Sequence, residues 1–461
     1  MPVARPRLLR AAAGLALLAA LASACATSSS TPTSTAANAS TIPELSPDQK
    51  VSIVFESYNL ANVGTWKPVI EGLLRDFQAA HPNITVKGQP PQNLAGSANS
   101  GDYVTSIKNQ VLAGSPPDVA QITFNALRFA AGSLGAQPLD TLVGREAVQA
   151  NFGGEHPFAP KARTLGDVDG KTYAVPYVFS TPVLWLNKTL FTQAGLDPAK
   201  PPKTWAEVKT AALAIKAKTG KDGVLIDCLT KVGDWCFQSL VRSAGGRVIS
   251  TDGTKLSFAD PPGVEAVSMA ADLVHSGVMP NLDQKQQVKA FSSGQAGMLL
   301  ESSSLQGMFM AGAKANNWQL DATQEPSFGS KPVIPTNSGA ALAIFSKDPA
   351  KQRAAWELIK FLTGDHAYTE ISSKIGYLPL RTGLIDDPKS LQAWAKANPL
   401  IKPNLDQLAR IEPWESFPGD NYLQISDTMM TAVESAVFTG KDPASTLAAA
   451  QKQATSFLPR K

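Results

Sequence analysis

The chain is 461 residues long, with 43% apolar and 17% charged residues. At roughly 100 to 200 residues per domain this gives two or three domains with ample core, which excludes a peptide-sized or wholly disordered protein. Lysine and arginine number 42 against 38 acidic residues, a net charge of +4 without a basic stripe, so no electrostatic feature points to a nucleic-acid partner. Three cysteines and four scattered histidines (His81, His156, His275, His366) are too few for a zinc cluster. No P-loop, dinucleotide fingerprint or nucleophile elbow is present, so neither metal nor cofactor is expected.

Arg5, Arg7 and Arg10 precede the apolar run Ala11 to Leu21, which is too short to span a bilayer, and residues 1–25 read as an export signal. The run ends in Leu21-Ala22-Ser23-Ala24-Cys25, which resembles a bacterial lipobox. Cleavage would leave Cys25 as a lipidated N-terminus; an ordinary signal peptide that happens to contain a cysteine is the alternative. Residues 26–47, rich in serine and threonine, read as a flexible tether. The expected location is the cell membrane, lipid-anchored and facing the extracytoplasmic side. Export makes disulfides available, and Cys228 and Cys236 are expected to bridge, two buried free thiols being the alternative.

The body alternates strand and helix signals. Val51 to Phe55 is β-prone, and Trp66, Val69, Ile70, Leu73, Leu74 and Phe77 then recur at helical spacing. Ile84 to Val86, a helix over Tyr103 to Ala113, and Asp118 to Ile122 complete a β-α-β-α-β pattern. A second pattern runs from Pro182 to Asn187 through a helix over Trp205 to Lys218 and into Gly223 to Ile226. Further helices are predicted over Val264 to Ser276, Arg353 to Leu362, Ile425 to Phe438 and Pro443 to Phe457. The fold class is α/β: two lobes, each a mostly parallel sheet flanked by helices, with a cleft between them at the strand ends.

Several stretches carry a resemblance. They include Gly170-Lys171-Thr172-Tyr173-Ala174-Val175-Pro176, Ser180-Thr181-Pro182-Val183-Leu184-Trp185-Leu186-Asn187-Lys188, Phe291-Ser292-Ser293-Gly294-Gln295-Ala296-Gly297-Met298 and Gly376-Tyr377-Leu378-Pro379. In this order they resemble the extracellular solute-binding proteins that deliver sugars and related polyols to ABC importers. The similarity spans about residues 48 to 460 and is greatest to the glycerol-3-phosphate-binding branch. It implies a monomeric receptor, partnered by a membrane permease, whose lobes close over a small polyhydroxylated ligand. The lobes are expected at 48–178 plus 337–378 and at 179–336 plus 379–461, with hinges near Phe179 to Thr181, Pro335 to Ser338 and Leu378 to Arg381.

Carried over by position, the resemblance implies a site built from Tyr103, Ser180, Trp235, Ser302 or Ser303, Gly339 and Tyr377. Two positions depart from the branch: Phe124, itself a candidate ring for the apolar face of a sugar with a place in the core as its alternative, stands where an acid is expected, and Pro418 where an arginine would clamp phosphate. Without that guanidinium a phosphate loses its bidentate partner, so a neutral sugar, a glycoside or an amino-bearing polyol fits better. The residues themselves add Tyr58, just after the first strand, and Glu301, which opens a run of hydroxyls. Asp420 and Asn421 in a Pro-Gly turn are further candidates. Each has an ordinary structural alternative: a solvated loop for Tyr58, a helix cap for Glu301 to Ser304, and turn chemistry for Asp420 and Asn421. Trp414 is undecided between cleft wall and surface. A secreted glycosidase would need a carboxylate pair that the sequence does not single out, and an adhesin would need a broad exposed face instead of a cleft.

Overall fold

The computed structural model describes residues 42–61, 66–92 and 100–459; the expected signal, Cys25 and most of the tether lie outside them. Eleven strands follow in chain order among the described residues. They are β1 (Val51–Glu56), β2 (Ile84–Gln89), β3 (Val119–Thr123), β4 (Asp167–Val168), β5 (Lys171–Thr172), β6 (Ala174–Ser180), β7 (Pro182–Asn187), β8 (Asp222–Ile226), β9 (Ala296–Ser302), β10 (Leu320–Gln324) and β11 (Ser338–Ile344). The long strands form two sheets, one ordered β2-β1-β3-β11-β6 and the other β10-β7-β9-β8, while β4 and β5 make a separate ribbon. Strands β6, β7 and β9 are buried along their whole length, because both faces of each sheet are covered.

Both sheets are mixed, which corrects the expectation of mostly parallel pairing. β1 runs parallel to β2 and β3, and β8 parallel to β9. Within these two sheets every antiparallel pair involves β7 or β11. These two strands begin where the chain passes from one sheet to the other, and they lack the local helical crossover that keeps neighbouring strands parallel.

The helices form where the spacing predicts. Helix Trp66–Ala80 buries Ile70, Leu73, Leu74 and Phe77. Helix Trp205–Thr219 opens on a capping box, Thr204 with Glu207, and stops at Gly220 in the left-handed conformation. Helix Pro349–Leu362 buries Trp356, Ile359 and Leu362 and packs on β1 and β11. Truncating a tryptophan this deeply packed costs about 3 to 5 kcal/mol.

Only Thr181 separates β6 of the first sheet from β7 of the second. Its hydroxyl meets Asn404 Oδ1 and accepts from Gln407 Nε2 at 3.1 Å. Its carbonyl accepts from the Ser303 N–H at 3.0 Å, and its own N–H donates to Ser303 Oγ at 3.4 Å. Among the described residues no helix is long and apolar enough to cross a membrane.

Candidate functional site

A cavity of about 160 Å³ lies between the two sheets. The first lobe contributes Tyr58 from the turn after β1, Trp66 from the start of its helix, Tyr103, Thr123 at the end of β3, and Tyr377. The second contributes Glu301, Ser302, Ser304, Trp235 and Trp414. The two meet at Ser180, Ser338 and Gly339, where the chain enters or leaves the first sheet. This is the carboxyl-end, between-sheet position at which open α/β folds bind ligands.

The first wall is a run of rings. Tyr58 stacks on Tyr103 with centroids 4.7 Å apart, lies 6.4 Å from Trp66, and Trp66 lies 5.8 Å from Tyr377. Behind them Asn59 donates to the Tyr377 hydroxyl at 3.4 Å and accepts from Gln121 Nε2 at 2.6 Å. Tyr377 also hydrogen-bonds Tyr58 and, from the opposite lobe, Ser304. Burial lifts the Tyr58 and Tyr377 phenols above the ordinary tyrosine range, so both are neutral donors and acceptors.

The second wall is a chain of hydroxyls backed by carboxylates. Ser302 Oγ donates to Ser180 Oγ at 2.9 Å and lies 2.8 Å from Ser304 Oγ. Glu301 accepts from the Ser302 N–H at 2.7 Å, and Gln284 Nε2 reaches both Glu301 Oε2 at 3.5 Å and Asp227 Oδ2 at 3.1 Å. Burial, and then the neighbouring Asp227 charge, push the Glu301 carboxyl well up. Burial likewise pushes Asp227 up to about 6. Trp414 is held at both ends: its backbone N–H donates to Asn337 Oδ1 at 3.0 Å and its indole to Asp234 Oδ2 at 3.3 Å. Trp235 rides on helix Asp234–Ser243, whose first turn is tied by a disulfide between Cys228 and Cys236, Cα atoms 4.6 Å apart.

Gly339 is required by geometry. Its φ of +119° and a Cβ position only 2.0 Å from the Val178 carbonyl oxygen exclude any side chain, and the β11–β6 register shifts next to it.

Of the sequence candidates, Tyr58, Tyr103, Ser180, Trp235, Glu301, Ser302, Gly339 and Tyr377 line the cavity. Four do not. Ser303 points away, to Thr181 and to Asn404, whose Nδ2 donates to its hydroxyl at 2.7 Å. Phe124 stands just beyond β3 in a neighbouring chamber of about 470 Å³ on the far side of Trp414. Asp420 accepts from Ser133 Oγ at 2.5 Å, and Asn421 is an exposed residue at the start of helix Tyr422–Phe438. The sequence reading missed Trp66, Thr123, Val232, Gln284, Leu305 and Ser338, held Ser304 only as part of the hydroxyl run, and left Trp414 open. Thr123 carried a signal, since it closes β3 at its carboxyl end, and Trp66 carried a weaker one as the first residue of the helix that follows β1. Gln284 carried none, because only the fold brings it to β9.

A two-lobed α/β body with an aromatic and hydroxyl-lined cavity between its sheets is the architecture of a solute-binding receptor. The chain belongs to the bacterial extracellular solute-binding protein family, whose sequence profile matches residues 72–402. It is 28% identical over 399 residues to the sn-glycerol-3-phosphate-binding periplasmic protein UgpB of Agrobacterium fabrum, covering 83% of this chain and 87% of that one. Identity to the protein of the same name from Brucella melitensis is 32% over 291 residues, 60% of this chain and 65% of that one. The fold matches UgpB from Mycobacterium tuberculosis, solved in complex with glycerophosphocholine, with a TM-score of 0.75 at 21% identity, covering 88% of this chain and 98% of that one. Maltose-bound T. maritima MalE3 matches with a TM-score of 0.74 at 22% identity, covering 88% of this chain and all (100%) of that one.

Proposed function

We propose that this solute-binding protein is the lipid-anchored receptor of an ABC importer, and that it captures a carbohydrate or glycerol-derived polyol between its lobes and releases it unchanged. The observation that carries the ligand class is the make-up of the cavity wall: six aromatic rings, a chain of serine hydroxyls and one carboxyl, with no lysine or arginine among the described residues that line it. Rings cover the C–H faces of a sugar or glycerol unit while hydroxyls and amides satisfy its oxygens. A dianionic phosphate inside this cavity would meet Glu301 and no cation, in keeping with Pro418 at the position where the branch places an arginine. A sugar, glycoside, amino sugar or glycerophosphodiester fits better than glycerol 3-phosphate.

The proposed role of Cys25 is to carry the lipid, with residues 26–47 as the tether. The proposed lobes are 48–178 plus 337–378 and 179–336 plus 379–461. Calorimetry against glycosides, amino sugars, glycerophosphocholine, glycerol 3-phosphate and maltodextrins tests the ligand class. Saturable binding with the ligand recovered intact supports the receptor. Turnover of a bound member, or binding of glycerol 3-phosphate alone, would overturn this reading. For the anchor, Cys25→Ser is expected to shed the protein into the medium and to abolish metabolic labelling with a fatty acid.

A further inference from the structure

Strand β8 ends at Ile226, opposite Leu300 of the parallel strand β9, so the chain that follows emerges beside Glu301 at the cleft. It makes two 3-10 turns, Asp227–Leu229 and Lys231–Gly233, before helix Asp234–Ser243 begins. This short segment carries much of the second wall. Val232 and Trp235 line the cavity. Asp234 Oδ2 accepts from the Trp414 indole at 3.3 Å and from the Ser426 hydroxyl at 2.9 Å. Asp227 is hydrogen-bonded to Glu301 and accepts from Gln284 Nε2 at 3.1 Å. The Trp235 carbonyl accepts from the Thr336 hydroxyl, on the stretch that leads into β11.

The segment is folded tightly back on itself. The Thr230 N–H and hydroxyl both donate to the Asp227 carbonyl, at 2.9 and 3.0 Å, and the Gly233 N–H donates to the Thr230 carbonyl at 2.9 Å. Gly233 lies so close that a Cβ there would stand 2.3 Å from the Asp227 carbonyl oxygen. The Cys228–Cys236 disulfide closes the fold, with both cysteines fully buried. The two cysteines are 8 residues apart, and closing so short a loop removes less freedom from the unfolded chain than a bridge between distant segments would. Its effect therefore falls on local geometry: it fixes the first turn of the helix against the turn after β8.

We infer that Cys228 and Cys236 are positioning residues for ligand binding, and that their disulfide, together with Gly233, holds Trp235, Asp234 and Asp227 in the places from which they build the second wall. The inference rests on the cleft cavity being where the ligand is held, and it adds the residues that set the geometry of that wall. A wall fixed before the ligand arrives has less freedom to lose on binding, and that is what the bridge contributes.

The double variant Cys228→Ala/Cys236→Ala removes the bridge, and Gly233→Ala crowds the Asp227 carbonyl while leaving the bridge intact; the second carries the same test should the first fail to fold. Each is compared with wild type by calorimetry against glycerophosphocholine, maltose and maltotriose below its unfolding midpoint, and by acrylamide quenching of tryptophan emission without ligand. Both are expected to lose about fivefold or more in affinity for a probe that wild type binds. Both are also expected to quench more strongly than wild type, and the difference to vanish when Trp235→Phe and Trp414→Phe are added to variant and wild type alike, which a general loosening of the fold would not produce. Unchanged quenching, or unchanged affinity for a bound probe, would make the disulfide a staple only and overturn the inference, however far the unfolding midpoint falls. No heat with any probe would count against the ligand class alone, and the quenching comparison would then uphold or overturn the inference by itself.

Discussion

The two walls of the cleft face one another with different chemistry. The first-lobe wall is rings that support each other, Tyr103 on Tyr58, then Trp66 and Tyr377, with amides behind them. The second-lobe wall is hydroxyls and two indoles, with buried acids holding two of its members, Glu301 behind Ser302 and Asp234 behind Trp414. The first is apolar packing, which ignores pH; the second is hydrogen bonding to groups that titrate. One wall offers shape, the other an adjustable field.

The largest expected effect comes from destroying the seam at which the walls join. Gly339→Val forces a branched residue into φ +119° and a Cβ against the Val178 carbonyl, and should cost about 3 kcal/mol or more. Thermal unfolding checks this, and a variant with a wild-type midpoint would show that the seam is not strained as described.

Next comes pH, which should act mainly through the second lobe. Burial pushes Glu325 up to about 8 and Asp234 and Asp227 up to about 6. The folded state therefore keeps protons that the unfolded chain has given up above its ordinary carboxylate values of 3.8 to 4.5. That stability is fully present below those values and is lost as pH rises through the folded ones, at about 1.4 kcal/mol per group and pH unit. The melting temperature should fall between pH 5 and pH 8, and Glu325→Gln, which retains a partner for Ser239, should flatten the decline. A wild-type slope in that variant would remove Glu325 as the cause. Asp197, Glu207 and Asp442, held low mainly by backbone N–H groups, oppose this trend only below the ordinary carboxylate range.

Trp235→Ala separates the walls by function. It should weaken a ligand that binds wild type by on the order of 1 kcal/mol or more through lost ring contact. Unchanged affinity with an intact fold would take Trp235 out of the site. Smallest is Tyr377→Phe, which removes the hydroxyl that meets Asn59 and Ser304 but keeps the ring. A loss of about 0.5 to 1.5 kcal/mol in stability is expected, with the pH profile unmoved.

Periodicity made the helices and most strands legible, because each has a face to bury: Ile70, Leu73, Leu74 and Phe77 announce one helix directly. Strand direction was not legible, since nothing local tells β7 or β11 which way its neighbours run. The site divides in the same way. Tyr58 sits just after β1, where its position alone carries information, whereas Tyr103 lies within helix Ser100–Leu112 and joins the wall by stacking on Tyr58. The serine run shows the limit: Ser302 and Ser304 face the cavity while Ser303, between them, faces Thr181, and because β9 ends at Ser302 and Ser303 to Leu305 form a 3-10 turn, strand alternation does not decide which hydroxyl points where. Phe124 was one step out of place, Thr123 being the residue that reaches the cavity. Gln284 and Trp414 belong to segments that are remote in sequence and meet only after folding.

The chain order of the strands has a practical consequence. β7 to β10 are inserted between β6 and β11, so a break anywhere from Lys188 to Gln319 leaves strands of both sheets on both pieces. Neither fragment can finish a sheet alone, and each exposes the edges that its counterpart covers. Split at a surface turn such as Thr251 to Gly253, the halves become a complementation pair, whose reunion rebuilds the pocket and reports on whatever brings the two ends together.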